Sequence, residues 1–149
     1  MPQSLVKILV HVVFSTKDRA KIITPEIELQ LFGYIGGILR NNGARLIIAG
    51  AAYDHIHLLV SLGRMDIAEL IGDVKRDSSS WIKKQDARFE RFYWQRGYGA
   101  FSIGQSQVAA VSKYVRDQKK HHEGQTFQDE FRALCQKYGV EIDERYCWD

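Results

Sequence analysis

Two short stretches carry side chains able to act together on a phosphodiester. In Asp54-His55-Ile56-His57-Leu58-Leu59-Val60, two histidines one residue apart lead into an apolar run. A strand alternates its side chains between faces, so His55 and His57 point the same way. In Tyr114-Val115-Arg116-Asp117-Gln118 the spacing suits a helix. Residues four apart on a helix share a face, so Tyr114 and Gln118 also point together. Two imidazoles and a carboxamide can hold one divalent cation, and a phenol beside it can attack a phosphodiester with the metal's help. Asp54, on the opposite strand parity, suits a supporting or turn-forming part. Each motif alone is weak, so the weight rests on their combination.

These residues need elements to position them. Residues 5 to 14 read as a strand with Ile8, Val10, Val12 and Phe14 on one face. The other face carries Lys7 and His11 among Leu5, Leu9 and Val13, and His11 reads as structural or superficial. Thr24-Pro25-Glu26 begins a helix with a stripe of Ile27, Leu31, Ile35, Ile38 and Leu39, and Asn41-Asn42-Gly43 ends it. Residues 44 to 52 and 55 to 62 read as strands, and the short connection between them favours antiparallel pairing. Asp66, with Glu69 three residues on, caps a second helix striped by Ile67, Leu70, Ile71, Val74, Trp81 and Ile82. Its Ser78-Ser79-Ser80 run permits close packing. Ser106 caps a third helix reaching about His122, with Val108, Val111 and Val115 inward, and Thr126 starts a last helix to about Tyr138. The tail through Trp148 reads as docked.

The order β-α-β-β-α-β-α plus a C-terminal helix predicts an α+β fold. It is a ferredoxin-like (split β-α-β) antiparallel sheet with helices on one face, a nucleophile-bearing helix and a C-terminal helix, in one domain over 1–149. The 149 residues are 45% hydrophobic and 26% charged, ordinary for a soluble domain. The sequence shows no membrane span and no secretory signal, and Cys135 and Cys147 lack metal-site spacing. A cytoplasmic protein with reduced thiols is expected. Residues 88 to 101 interleave Phe89, Phe92, Tyr93, Trp94, Tyr98 and Phe101 with Arg88, Arg91 and Arg96. Two readings stand: a surface for single-stranded nucleic acid, or a fourth strand burying its aromatics.

His-Ile-His before Leu-Leu-Val, then Trp-Gln-Arg-Gly-Tyr, then Tyr-Val-Arg-Asp-Gln before a His-His pair occur in an order that resembles the small single-tyrosine transposases of bacterial insertion sequences. These belong to the HUH endonuclease superfamily. The resemblance implies that His55, His57 and Gln118 bind Mg²⁺ or Mn²⁺ and that Tyr114 is the nucleophile. It implies cleavage and rejoining of single-stranded DNA at element ends through a 5′-phosphotyrosine, leaving a free 3′-OH. It further implies a homodimer that recognises DNA hairpins, often with the tyrosine helix completing the partner's site. A domesticated hairpin-DNA-binding protein and a related HUH nickase are the alternatives. Replication initiators and relaxases usually need longer chains, and a histidine-triad hydrolase would need a third histidine where Leu59 stands.

Overall fold

A computed structural model describes residues 2–149; Met1, the first residue of the expected domain, lies outside them. The chain runs β1 (Leu9–Ser15), α1 (Pro25–Asn41), β2 (Arg45–Ala51), β3 (His55–Ser61), α2 (Ile67–Lys83) and β4 (Gly99–Ile103). It continues through α3 (Val108–Arg116), α4 (Gln118–His121) and α5 (Phe127–Lys137). The strands form one sheet in the order β2-β3-β1-β4, every neighbouring pair antiparallel. This is the predicted split β-α-β plan. Among the described residues, no helix is long and apolar enough to cross a membrane.

Strand alternation divides the central residues between two layers. Val10, Val12 and Phe14 of β1 and Ile56, Leu58 and Val60 of β3 pack against Ile27, Leu31 and Ile35 of α1 and Leu70, Val74 and Ile82 of α2. On the opposite face, Leu9, Leu59 and Ile103 lie under Val108 and Val111 of α3. Val13 and Phe101 meet Phe127, Phe131 and Leu134 of α5. α1 and α2 therefore share one face as expected, and the two added elements roof the other. The approach of α3 to β2 is close: a Cβ on Gly50 would lie 1.8 Å from the Val115 carbonyl oxygen. Only glycine allows that contact.

Two boundaries in the sheet differ from the sequence expectation. The first strand starts at Leu9, and Leu5, Val6 and Ile8 are exposed. Its neighbours end opposite Leu9, at Ser61 and Ile103, and one further bond, from Leu62 N–H to the Ile8 carbonyl at 2.8 Å, closes the pairing. The aromatic segment is mostly a loop packed under α2, with β4 beginning only at Gly99. Phe89, Phe92 and Trp94 are buried. Trp94 meets Phe14 and Phe92 edge to face at centroid distances of 4.9 and 4.7 Å. Packing thus accounts for most of these rings. Tyr93 is the exception: it is 53% exposed, with Lys83 Nζ 4.0 Å above its ring and Arg88, Arg91 and Arg96 also at the surface.

Lys75 of α2 fixes the same loop by donating to the carbonyls of Gln95, Arg96 and Gly97 at 2.9, 3.1 and 2.7 Å. At the far end the tail does dock: Trp148 packs on Phe127 and Phe131, and Arg19 donates to its carbonyl at 3.1 Å.

Candidate active site

His55 and His57 enter the sheet's second layer from β3, both wholly buried. Alternation places them on the face roofed by α3 and α5, as their spacing predicts. The third helix does not run unbroken to His122. It stops at Arg116, Asp117 takes a non-helical conformation, and α4 resumes at Gln118. The helix bends where its own amide side chain can close it: Gln118 Nε2 donates to the Tyr114 carbonyl at 3.1 Å. Despite the break, Tyr114 and Gln118 both reach the histidines, so the four predicted residues meet within one chain.

Their meeting point is a residue the sequence reading did not single out. Glu130 of α5, 1% exposed, directs Oε1 at three imidazoles. His57 Nε2 lies 2.8 Å away, His122 Nε2 3.1 Å and His55 Nε2 3.3 Å. Its other oxygen, Oε2, accepts the Tyr114 hydroxyl proton in a hydrogen bond. Gln118 Oε1 sits 3.1 Å from His55 Nε2. Tyr114 is half-buried, its ring stacked on His121 at 4.5 Å and 25°. Behind this centre, Asp54 Oδ1 accepts from His55 Nδ1 at 2.7 Å, the supporting part suggested by its position. His11 Nε2 pairs with His57 Nδ1 at 2.8 Å. Of the two readings of His11, structural or superficial, burial selects the structural one, because its strand face is covered rather than solvated.

Burial and charge set opposed protonation preferences. Burial opposes charge on His55, but Asp54 and Glu130 outweigh it and raise its pKa to about 9. Burial wins at His57, lowered to about 4, and at His11, lowered to about 3, where the neighbouring His57 adds to it. Burial alone would raise the pKa of Glu130, yet the surrounding His122, His55 and His57 hold it far below the ordinary carboxylate range. Burial, then the Glu130 carboxylate, pushes the Tyr114 phenol well up. The resting cluster therefore contains an ionised carboxylate and a protonated phenol.

The donor set suits a divalent cation. The ligand atoms of His55, His122 and Glu130 all lie within 4.8 Å of one another. His122 Nδ1 approaches the Gln125 carbonyl at 2.6 Å and must carry a proton to donate there. His122 Nε2 is buried and faces Glu130 Oε1 at 3.1 Å. A cation between them would be met by an imidazole nitrogen and a carboxylate oxygen. Likewise, the Asp54 contact fixes a proton on His55 Nδ1 and leaves Nε2 as its ligating atom. Of the predicted set, His55 belongs to this group, whose other members are Glu130 and His122; His57 borders it through Glu130 and Gln118 through His55. A signal for Glu130 was present: it occupies the buried stripe of α5, between Phe127, Phe131 and Leu134, where an apolar residue would be ordinary.

Comparison with known proteins agrees with this architecture. A crystal structure from Deinococcus radiodurans R1, described as a transposase, superposes with a TM-score of 0.61 at 18% identity, covering 77% of this chain and 95% of that one. A REP-associated tyrosine transposase bound to a REP hairpin also gives 0.61, at 13% identity, covering 82% of this chain and 73% of that one. No curated protein matches in sequence. At these identities the two structures establish the fold alone. The family model described as transposase IS200 like matches residues 4–118, from before β1 to Gln118, and on that match the chain belongs to the IS200-like transposase family.

Proposed function

We propose that the chain cuts and rejoins single-stranded DNA at insertion-sequence ends, storing the broken phosphodiester as a 5′-phosphotyrosine on Tyr114. The observation that carries this reading is the convergence of Tyr114 Oη with His55, His57 and Gln118 around one point in a single chain. Attack forms a Tyr114 Oη–phosphorus bond and breaks the bond from phosphorus to the 3′ oxygen, releasing a 3′-OH. A strand bearing its own 3′-OH reverses the step, so no external energy source is required. His55, His57 and Gln118 would hold Mg²⁺ or Mn²⁺, which when bound polarises the scissile phosphate and stabilises its developing charge. Asp54 and His11 keep the two imidazoles oriented.

DNA hairpins are the favoured substrate class, supported by the hairpin-bound neighbour of like fold. Tyr93, with Lys83 and the exposed arginines around it, offers a ring for an unpaired base and cations for phosphates. The homodimer belongs to the proposal on the strength of the family resemblance, as does a cytoplasmic setting where DNA is at hand.

Incubation with Mg²⁺ and hairpin oligonucleotides from the element's own ends tests the reading. A covalent protein–DNA adduct is expected from the wild type and none from Tyr114→Phe. Hairpin binding without any adduct, across substrates and metals, would instead establish a binding module. Light scattering of the hairpin complex reads the dimer.

A further inference from the structure

The nuclease reading leaves one proton unassigned. Tyr114 must lose its hydroxyl hydrogen as it attacks, and the family match ends at Gln118, before α5 begins. We propose that Glu130 is a catalytic residue that receives the Tyr114 proton, a role that rests on the nuclease reading above.

The geometry is specific. Among the described residues, the hydroxyl of Tyr114 has Glu130 Oε2 as its hydrogen-bond partner. The carboxylate cannot swing freely, since Oε1 is held between His57, His122 and His55 at 2.8, 3.1 and 3.3 Å. The phenol is oriented from its other side by stacking on His121. A buried carboxylate on an otherwise apolar helix stripe is costly unless it is paired, and here it links the nucleophile to the metal-capable cluster.

Glu130 Oε2 already accepts from the Tyr114 hydroxyl, so the receiving oxygen needs no rearrangement. A carboxylate is a weak base toward a resting phenol, so it does not generate free tyrosinate. Once the oxygen of Tyr114 shares its electron pair with phosphorus, its remaining hydrogen becomes strongly acidic, and an adjacent carboxylate suffices. In the forward step the Oη–phosphorus bond forms, the proton passes to Glu130 Oε2, and the bond to the 3′ oxygen breaks. The departing 3′ oxygen takes a proton from water, while Glu130 keeps the tyrosine's proton through the covalent intermediate. In strand rejoining Glu130 gives that proton back to Tyr114 Oη as the phosphorus–Oη bond breaks, and the attacking 3′-OH releases its own proton to water.

The test uses the full chain with hairpin oligonucleotides and Mn²⁺. Glu130→Gln keeps the shape and the hydrogen bond but removes the basic oxygen. Adduct formation is expected to slow by about 100-fold or more at saturating Mn²⁺, with hairpin affinity unchanged. Fluorotyrosine at position 114, a phenol that ionises more easily, is expected to recover about tenfold in the Gln variant while changing the wild-type background little. If Glu130→Gln fails to fold, Glu130→Asp is expected to keep a partial rate that fluorotyrosine again improves. A full rate in Glu130→Gln overturns the proposal. So does a loss that added Mn²⁺ repairs, which would make Glu130 a ligand only, or a loss indifferent to fluorotyrosine, which would make it structural. Absence of an adduct from the wild type would bring down the nuclease reading itself, a result distinguishable from all of these.

Discussion

On β3, Ile56, Leu58 and Val60 turn toward α1 and α2, while His55, His57 and Leu59 turn toward α3 and α5. The same strand therefore supplies a hydrophobic layer and a chemical one, in alternate positions. The first layer is apolar and gains its stability from area removed from water. In the second, four imidazoles and two carboxylates interact within a dry space, and their desolvation is offset only by mutual contacts. The difference teaches where to place function in this fold: the α1–α2 layer holds the strand still, and the α3–α5 layer uses the side chains that the strand presents.

Adjacent substitutions on β3 give the sharpest contrast. His57→Ala is expected to slow adduct formation by about 10³-fold or more, since it removes a proposed ligand and frees Glu130. Leu58→Ala, one residue on, is expected to cost about 2–5 kcal/mol of stability through a cavity in the α1–α2 layer. Chemical denaturation and single-turnover cleavage, measured on both variants, check the division. A Leu58→Ala protein that folds normally but cannot cleave would break it.

Metal binding should register in the second layer alone. Mn²⁺ at about 100 times its dissociation constant is expected to add about 2.7 kcal/mol, roughly 5–10 °C in a melt of a chain this size. The same addition should leave the melting temperature of His57→Ala almost unchanged. A shift that survives in that variant would locate the ion elsewhere.

The roof itself can be disturbed at Gly50. A methyl group there would collide with the Val115 carbonyl, backbone against backbone, so α3 must lift. Tyr114 precedes Val115, and Gly50→Ala is therefore expected to lower cleavage by about tenfold or more while metal affinity falls less. Unchanged cleavage would show that α3 has slack, and that Tyr114 is not held by the packing of its helix.

The two layers were not equally legible in the sequence. Periodicity alone gave the stripes of α1 and α2 and the pairing of His55 with His57, because period and burial coincide there. Tyr114 and Gln118 were also readable from four-residue spacing, although Asp117 interrupts the helix between them. Glu130 was not found: its place in the apolar stripe of α5 was a local hint, but its partners His55 and His57 lie far away in sequence. His122 stood only as half of the His-His pair near the expected end of the third helix. His11 was read as structural or superficial, and only the cover of α3 and α5 over its face decides between the two. Each miss concerns a polar residue whose meaning depends on what covers it.

Ser78 shows that a buried polar atom need not signal chemistry. Small serines on α2 were expected to allow close packing, and Ser78 does so while its hydroxyl also accepts from Trp94 Nε1 at 3.0 Å. The hydroxyl donates in turn to the Val74 carbonyl at 2.5 Å, so every polar atom of this pair is satisfied within the α1–α2 layer. Ser78→Ala leaves the indole N–H without its acceptor and is expected to cost about 1–3 kcal/mol, whereas the further change Trp94→Phe removes that orphan donor. A double-mutant cycle by denaturant unfolding should therefore show the two losses to be less than additive, with cleavage per folded molecule unaltered throughout. Strict additivity would mean that the hydrogen bond contributes nothing beyond shape. The contrast with Glu130 then becomes specific. A neutral pair that closes on itself stabilises a layer, while a carboxylate shared among three imidazoles and the proposed nucleophile keeps interactions that a substrate can exchange.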